Sequence, residues 1–240
     1  MYIVVMMNKI LILFAALSMS GCAGYKSLDG TDSRRGLAPQ SSALISKSRA
    51  IGAEADSPVL IRIFKESKEL ELWRKARNGK YALVHTYPIC AYSGTLGPKV
   101  AQGDYQAPEG FYSITPSQMN YNSIRYLAAN TGYPNQFDKA HSRTGSSVMI
   151  HGGCDSAGCY AIQDAPMQDL FAAMRDAFKG GQRSIQLQIY PYRMGTVNML
   201  MHSVPEHKDF WRQLKVGYDK FESTHRELNV TVVNERYVIN

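Results

Sequence analysis

The chain has 240 residues, 45% of them hydrophobic and 20% charged, with a net charge of +7. That length suits one well-buried domain and excludes two generous ones once the N-terminus is set aside. The basic balance could suit nucleic acid, a membrane surface or an acidic wall polymer, but no run of five Lys/Arg occurs and aromatics do not interleave with basic residues, which argues against nucleic acid; by itself the charge reads first as a generally basic solvated surface.

The first segment, "MYIVVMMNKILILFAALSMSGC", carries one basic residue, Lys9, then an apolar run from Ile10 to Leu17, then small residues. This is the layout of a secretory signal, and it is interrupted by Asn8 and Lys9 before reaching the ~20 apolar residues of a membrane span. A start at Met7 also gives a complete signal. "SMSGC" resembles a bacterial lipobox with Met19 where Leu is usual, so Cys22 is a candidate for lipidation and for anchoring to the outer membrane. Either outcome exports the chain to the periplasm.

Residues 23–56 are rich in Ser, Ala, Gly and basic residues with little apolar periodicity, and read as a flexible tether with at most a weak helix over 42–53. The folded domain is expected over 57–240. "SPVLIRIFK" and "ELELWRK" read as strands, and "NGK" turns the chain into a third, "YALVHTYPIC". "GDYQAPEGFYSI" offers further strands punctuated by Gly and Pro. "SSVMIH" is a short buried strand that ends on His151. "APMQDLFAAMRDAF" is a helix, with Met167, Leu170, Phe171 and Met174 at helical spacing and a Gly-Gly stop. "SIQLQIYPY" is a strand, "HKDFWRQLKVGYDKFES" a helix whose Phe210, Trp211, Leu214 and Tyr218 form a packing face, and "NVTVVNERYVI" a closing hairpin. The fold class is α+β, mainly β, with two helices.

Export matters for the cysteines. Cys90, Cys154 and Cys159 fall in the folded part, and an oxidising compartment favours pairing, so an odd count leaves one thiol over. In "HGGCDSAGC" a histidine, His151, and two cysteines share nine positions. Cys159 lies between a Gly-containing turn and a helix start, where backbone N–H groups lower a thiol pKa and hold an oxyanion, and His151 is placed to act as its base. A structural cysteine beside a core histidine fits the spacing equally well. Zinc is the third reading, with His151, Cys154, Cys159 and a fourth ligand from His141 or Cys90; the paired knuckles usual in zinc sites are missing, and no metal or cofactor is expected.

The order "IHG" (150–152) then "SAGC" (156–159) resembles the catalytic signature of the L,D-transpeptidase, or YkuD-type, family. "SPVLIRIFKESKELELW", "YSGTLGPKVAQGDYQAPEGFY", "MIHGGCDSAGCYAI", "IYPYRM" and "KDFWRQLKVGYDKFE" are similar to its YafK-like branch, whose members include a peptidoglycan meso-diaminopimelate protein amidase. The resemblance spans roughly residues 57–239. It implies β-sandwich-like sheets with flanking helices, Cys159 as nucleophile, His151 as base, and Ser156 and Gly158 shaping an oxyanion loop. It also implies a thioester to stem peptides containing meso-diaminopimelate, resolved by water in an amidase or by an amine in a transpeptidase. The partner would be peptidoglycan, with a wall-attached lipoprotein as the group released. Two departures from the main branch favour hydrolysis: only seven residues separate His151 from Cys159, and Ala161 stands where Arg is usual. Cys90 and Cys154 then remain for a disulfide, with a Cys154–Cys159 bond as its rival. Tyr160, His141, Arg125, Lys99 and Arg193 are weaker candidates for substrate contacts. A non-catalytic wall-binding module is the alternative from another class.

Overall fold

The computed structural model describes residues 33–202 and 204–240; the expected signal segment, Cys22 and the first part of the expected tether lie outside them. A 3-10 turn at Ser33–Leu37 leads to α1 (Ser42–Ala50), then β1 (Val59–Phe64), β2 (Glu69–Lys75), β3 (Tyr81–Pro88) and β4 (Ala91–Tyr92). The middle of the chain forms β5 (Gly110–Ile114), β6 (Met119–Asn120), β7 (Ala128–Asn130), α2 (Gln136–Ala140), β8 (Met149–His151) and β9 (Tyr160–Ala161). It closes with α3 (Asp164–Lys179), β10 (Ile185–Tyr190), α4 (Thr196–Met201), α5 (Lys208–Thr224) and the hairpin β11 (Val230–Val233) and β12 (Arg236–Ile239).

Two five-stranded sheets result, ordered β3-β2-β1-β10-β5 and β4-β9-β8-β7-β6. Every residue of β1 is buried because the first sheet is covered on both faces. Val59, Ile61 and Ile63 point to a core shared with Met167, Leu170 and Met174 of α3 and with Ile150 and Tyr160 of the second sheet. Leu60 and Phe64, alternating with them, pack on Trp211, Leu214 and Phe221 of α5 and on Tyr237 of the hairpin. The architecture is α+β with mixed sheets and flanking helices.

Two expectations change. The segment 33–56 is not a tether but part of the folded body. Leu44 of α1 is buried, Ser41 caps α1 while bonding Asp169 of α3, and Arg175 donates to the carbonyls of Gly36 and Ala38. Its polar composition concealed this because most of its attachments are hydrogen bonds rather than an apolar stripe. Among the described residues there are also five α-helices rather than two; α2 and α4 are too short to carry a periodic signal. Within "GDYQAPEGFYSI" only Gly110–Ile114 is strand. The preceding stretch follows side-chain anchors instead, with Lys65 Nζ donating to the carbonyls of Gly97 and Ala107.

Candidate active site

Strand parity builds the site. β8 and β9 run parallel, with Ile150 opposite Tyr160 and His151 opposite Ala161. Ile150 and Tyr160 are wholly buried in the core, so the opposite face of the sheet carries Met149 and His151 and, one residue before β9, Cys159. His151 and Cys159 both line one cavity of about 490 Å³. Cys159 also lines a second cavity of about 230 Å³, walled by Lys99, Tyr105 and Gly158. The thiol stands where the two meet.

The loop between His151 and Cys159 is held at both ends. A Cβ at Gly152 would lie 2.7 Å from Asp164 Oδ1 and 2.8 Å from the Arg125 carbonyl oxygen, so the residue after the histidine has no room for a side chain. Gly153 N–H donates to Asp164 Oδ1 at 2.7 Å, tying the loop to the first turn of α3. Cys154 is disulfide-bonded to Cys90, with 5.6 Å between their Cα atoms, and Cys159 is left as the free cysteine. Ser156 closes the other end: its hydroxyl accepts the Cys159 N–H at 2.9 Å and donates to the Cys159 carbonyl at 2.7 Å. Gly158 takes φ +112, a conformation that L side chains rarely adopt.

This arrangement corrects one expectation. Cys159 does not open a helix, since β9 intervenes before α3 begins at Asp164. Its own N–H is taken by Ser156, whereas the Gly158 N–H has no acceptor among the described residues. Burial pushes the Cys159 thiol up, against the opposing pull of the Met149 N–H, Lys99 and Arg125. Met149 N–H donates to Sγ at 3.4 Å, and Sγ faces the Ser147 carbonyl at 3.8 Å, with Ser147 itself at φ +57.

Burial pushes the His151 imidazole below its usual range, its contact with the Gly152 carbonyl pulls the other way, Arg125 lowers it and Asp155 raises it. His151 Nδ1 lies 2.6 Å from the Gly152 carbonyl oxygen. A carbonyl oxygen only accepts, so Nδ1 carries the proton and Nε2 offers its lone pair. The resting pair is a neutral thiol and a neutral imidazole with its basic nitrogen free.

A family model of the L,D-transpeptidase catalytic domain, YkuD, matches residues 58–196. The chain belongs to the L,D-transpeptidase family. It is 48% identical over 184 residues to the Escherichia coli K12 protein named "Putative L,D-transpeptidase YafK", covering 77% of this chain and 74% of that one. The protein of the same name in Escherichia coli O157:H7 gives the same figures. Among solved structures, the helical cell shape determining protein Pgp2 of Campylobacter jejuni is 16% identical with a TM-score of 0.43, covering 78% of this chain and 80% of that chain. The family match stops before α5 and the closing hairpin.

Of the other L,D-transpeptidase site candidates, the structure brings some to the thiol and not others. Arg125 lines the larger cavity, ion-paired with Asp155. Lys99 lines the smaller one, but its ammonium is buried and held by Asp104 and the Ala101 carbonyl. Tyr160 is not a substrate contact: strand parity turns its ring into the core, and its hydroxyl donates to the Pro108 carbonyl. His141 ends α2, stacks on Phe137 and faces a different cavity. Arg193 is held by Glu69 and Glu71 over the Phe64 ring, and lines neither cavity beside Cys159. Sequence reasoning missed Asp155, Ser147 and Met149. Asp155 stood within the quoted motif and could have been found there, whereas nothing in the sequence marks the turned backbone at Ser147.

Proposed function

We propose that this L,D-transpeptidase-family domain is an exported cysteine hydrolase that cleaves amide bonds at meso-diaminopimelate in peptidoglycan, releasing covalently attached protein. The observation that carries the reading is the free Cys159 thiol sharing a face and an open cavity with an imidazole whose Nε2 is unencumbered. In the first step Nε2 takes the thiol proton as sulfur attacks the carbonyl at the L-centre of diaminopimelate. The carbonyl electrons move to oxygen, toward the Gly158 N–H. Collapse expels the amine, which leaves with the proton from Nε2, and a thioester remains. Water then loses a proton to Nε2, attacks the thioester, and returns the thiol and a carboxylic acid.

Two features support water over an amine as second nucleophile. Ala161, opposite His151 in the register, stands where the resemblance to the main-branch transpeptidases leads one to expect arginine, a departure shared with the YafK-like branch. The short loop, fixed to Cys90, leaves the larger cavity open beside the thiol. The second reading is transpeptidation, favoured by the family match and the name of the Escherichia coli relatives. Purified protein incubated with sacculi that carry bound protein, analysed by mass spectrometry, separates them. Release of protein with an intact stem peptide supports hydrolysis; new cross-links support transpeptidation. Identical products from wild type and Cys159→Ala would sink both. The signal-like N-terminus further supports periplasmic residence, with Cys22 as the acylation site; incorporation of labelled palmitate that is lost in Cys22→Ala is the expected result.

A further inference from the structure

Arg125 and Asp155 come from separate loops, one between β6 and β7, the other between His151 and Cys159, and meet in the cavity wall. Their ion pair is one-pronged: Arg125 Nη1 meets Asp155 Oδ1. Arg125 Nε and Nη2, and Asp155 Oδ2, have no partner among the described residues. Both side chains are about half exposed, 46% and 58%, so the pair adds little to stability. Its backbone supports are nevertheless well built. Arg125 N–H donates to Ser123 Oγ, the Arg125 carbonyl packs on Gly152, and the next residue, Tyr126, sits at φ +72 with its hydroxyl on Gln168 and the Arg35 guanidinium over its ring. A costly backbone conformation thus holds a solvent-facing guanidinium in place. Lys99, the cation beside the smaller cavity, is buried and already held by Asp104 and the Ala101 carbonyl.

A one-pronged pair of opposite charges, each with a free edge, matches a ligand group that itself carries both charges. A carboxylate fits the open guanidinium edge in fork geometry, and an ammonium fits the free carboxylate oxygen. Diaminopimelate presents this group at the D-centre, at the end of a three-methylene arm from the L-centre under attack. We propose that Arg125 and Asp155 form a zwitterion clamp, with Arg125 binding the D-centre carboxylate and Asp155 the D-centre ammonium. The clamp makes the enzyme selective for stem peptides whose D-centre is free. It rests on the hydrolase reading for the identity of the substrate, but not for the binding itself.

The test separates binding from turnover. Calorimetry on Cys159→Ala measures the affinity for three soluble muropeptides: one with meso-diaminopimelate, one amidated at its D-centre carboxyl, and one with L-lysine in its place. The first should bind roughly tenfold more tightly than the other two. Adding Arg125→Gln should abolish that preference, and adding Asp155→Asn should weaken the diaminopimelate and lysine peptides alike. Both positions are exposed, and unchanged thermal unfolding shows that the variants fold. Equal affinities for the three peptides, or a preference that survives both substitutions, overturns the clamp. Wild-type turnover of protein-bearing sacculi is read separately: selective binding without release leaves the clamp standing and removes the hydrolase reading, and release without selectivity does the reverse.

Discussion

At the scale of single residues, the site runs on a neutral pair, and its pH dependence follows. As the proposed base, the imidazole is competent only when unprotonated, and burial holds it below the ordinary histidine value of about 6.5. The acid limb of kcat/KM should therefore lie below that value, and activity should persist into mildly acidic buffer. The thiol is pushed up, so its alkylation by iodoacetamide should be slow near neutrality and accelerate only above the ordinary thiol range of about 8.5. Peptide mapping should place the label on Cys159. A labelling midpoint near pH 6 would instead reveal a thiolate–imidazolium pair and overturn the neutral description. Cys159→Ala should abolish turnover, and His151→Gln should lower kcat by roughly 10²–10⁴-fold. The same imidazole affects stability with a defined sign. Its folded-state pKa is depressed, so the unfolded chain binds the proton first, and stability declines as pH falls through about 6.5. His151→Gln should flatten that decline in urea titrations at pH 7 and pH 5.5.

At the scale of elements, the loop between His151 and Cys159 depends on two fastenings remote in sequence. The Cys90–Cys154 link spans 64 residues, and closing a loop of that length in the unfolded chain is worth about 4 kcal/mol by the chain-entropy model. Cys90→Ala/Cys154→Ala should lower the thermal midpoint and loosen residues 152–158, seen as faster amide exchange at Gly153, with Cys159 still free. Unchanged exchange there would show that Asp164 and Ser156 alone suffice. The N-terminal fastening is α1 and the turn before it. Leu44→Ala should cost about 2–5 kcal/mol, a loss that a tether residue would not produce.

These fastenings mark what the sequence made legible. The helices α3 and α5 stand where helical spacing puts them, because burial of one face imposes that period, while β1 and β2, buried along nearly their whole length, stand where their short β-favouring runs put them. The order "IHG" then "SAGC" pointed to Cys159 and His151 through the family resemblance, since spacing alone left a structural cysteine equally good; the common face that the register gives them is seen only in the structure. Attachments made through polar groups left no such trace. Ser41 to Asp169, Arg175 to two carbonyls, and Ser156 back onto Cys159 are single contacts between distant or irregular residues. Adjacency also misled at Tyr160, which follows Cys159 in sequence yet points the other way.

At the scale of the whole molecule, one buried ion pair joins the layers to the site. Lys65, just past β1, is fully buried and pairs with Glu109 at 2.9 Å. Glu109 Oε1 also accepts the Gly97 N–H, and Oε2 accepts Trp211 Nε1 of α5 at 2.8 Å. Lys65 in turn donates to the carbonyls of Gly97 and Ala107, the two ends of the segment that carries Lys99 and Tyr105 into the smaller cavity. The central sheet, α5 and the wall beside Cys159 therefore share one charged node. Burial pushes the Lys65 ammonium down, and Glu109 opposes that shift, so the charge depends on its partner. Glu109→Gln leaves a buried ammonium uncompensated and should cost about 3–5 kcal/mol in urea unfolding. Lys65→Met combined with Glu109→Gln should recover part of that loss, because the uncompensated charge is gone while the new amide oxygen still accepts from Trp211. The single variant Glu109→Gln should also raise KM for diaminopimelate peptides, since its loosened segment walls the thiol. A Glu109→Gln protein with unchanged urea midpoint would mean that solvent reaches Lys65 and that the layers are joined by apolar packing alone.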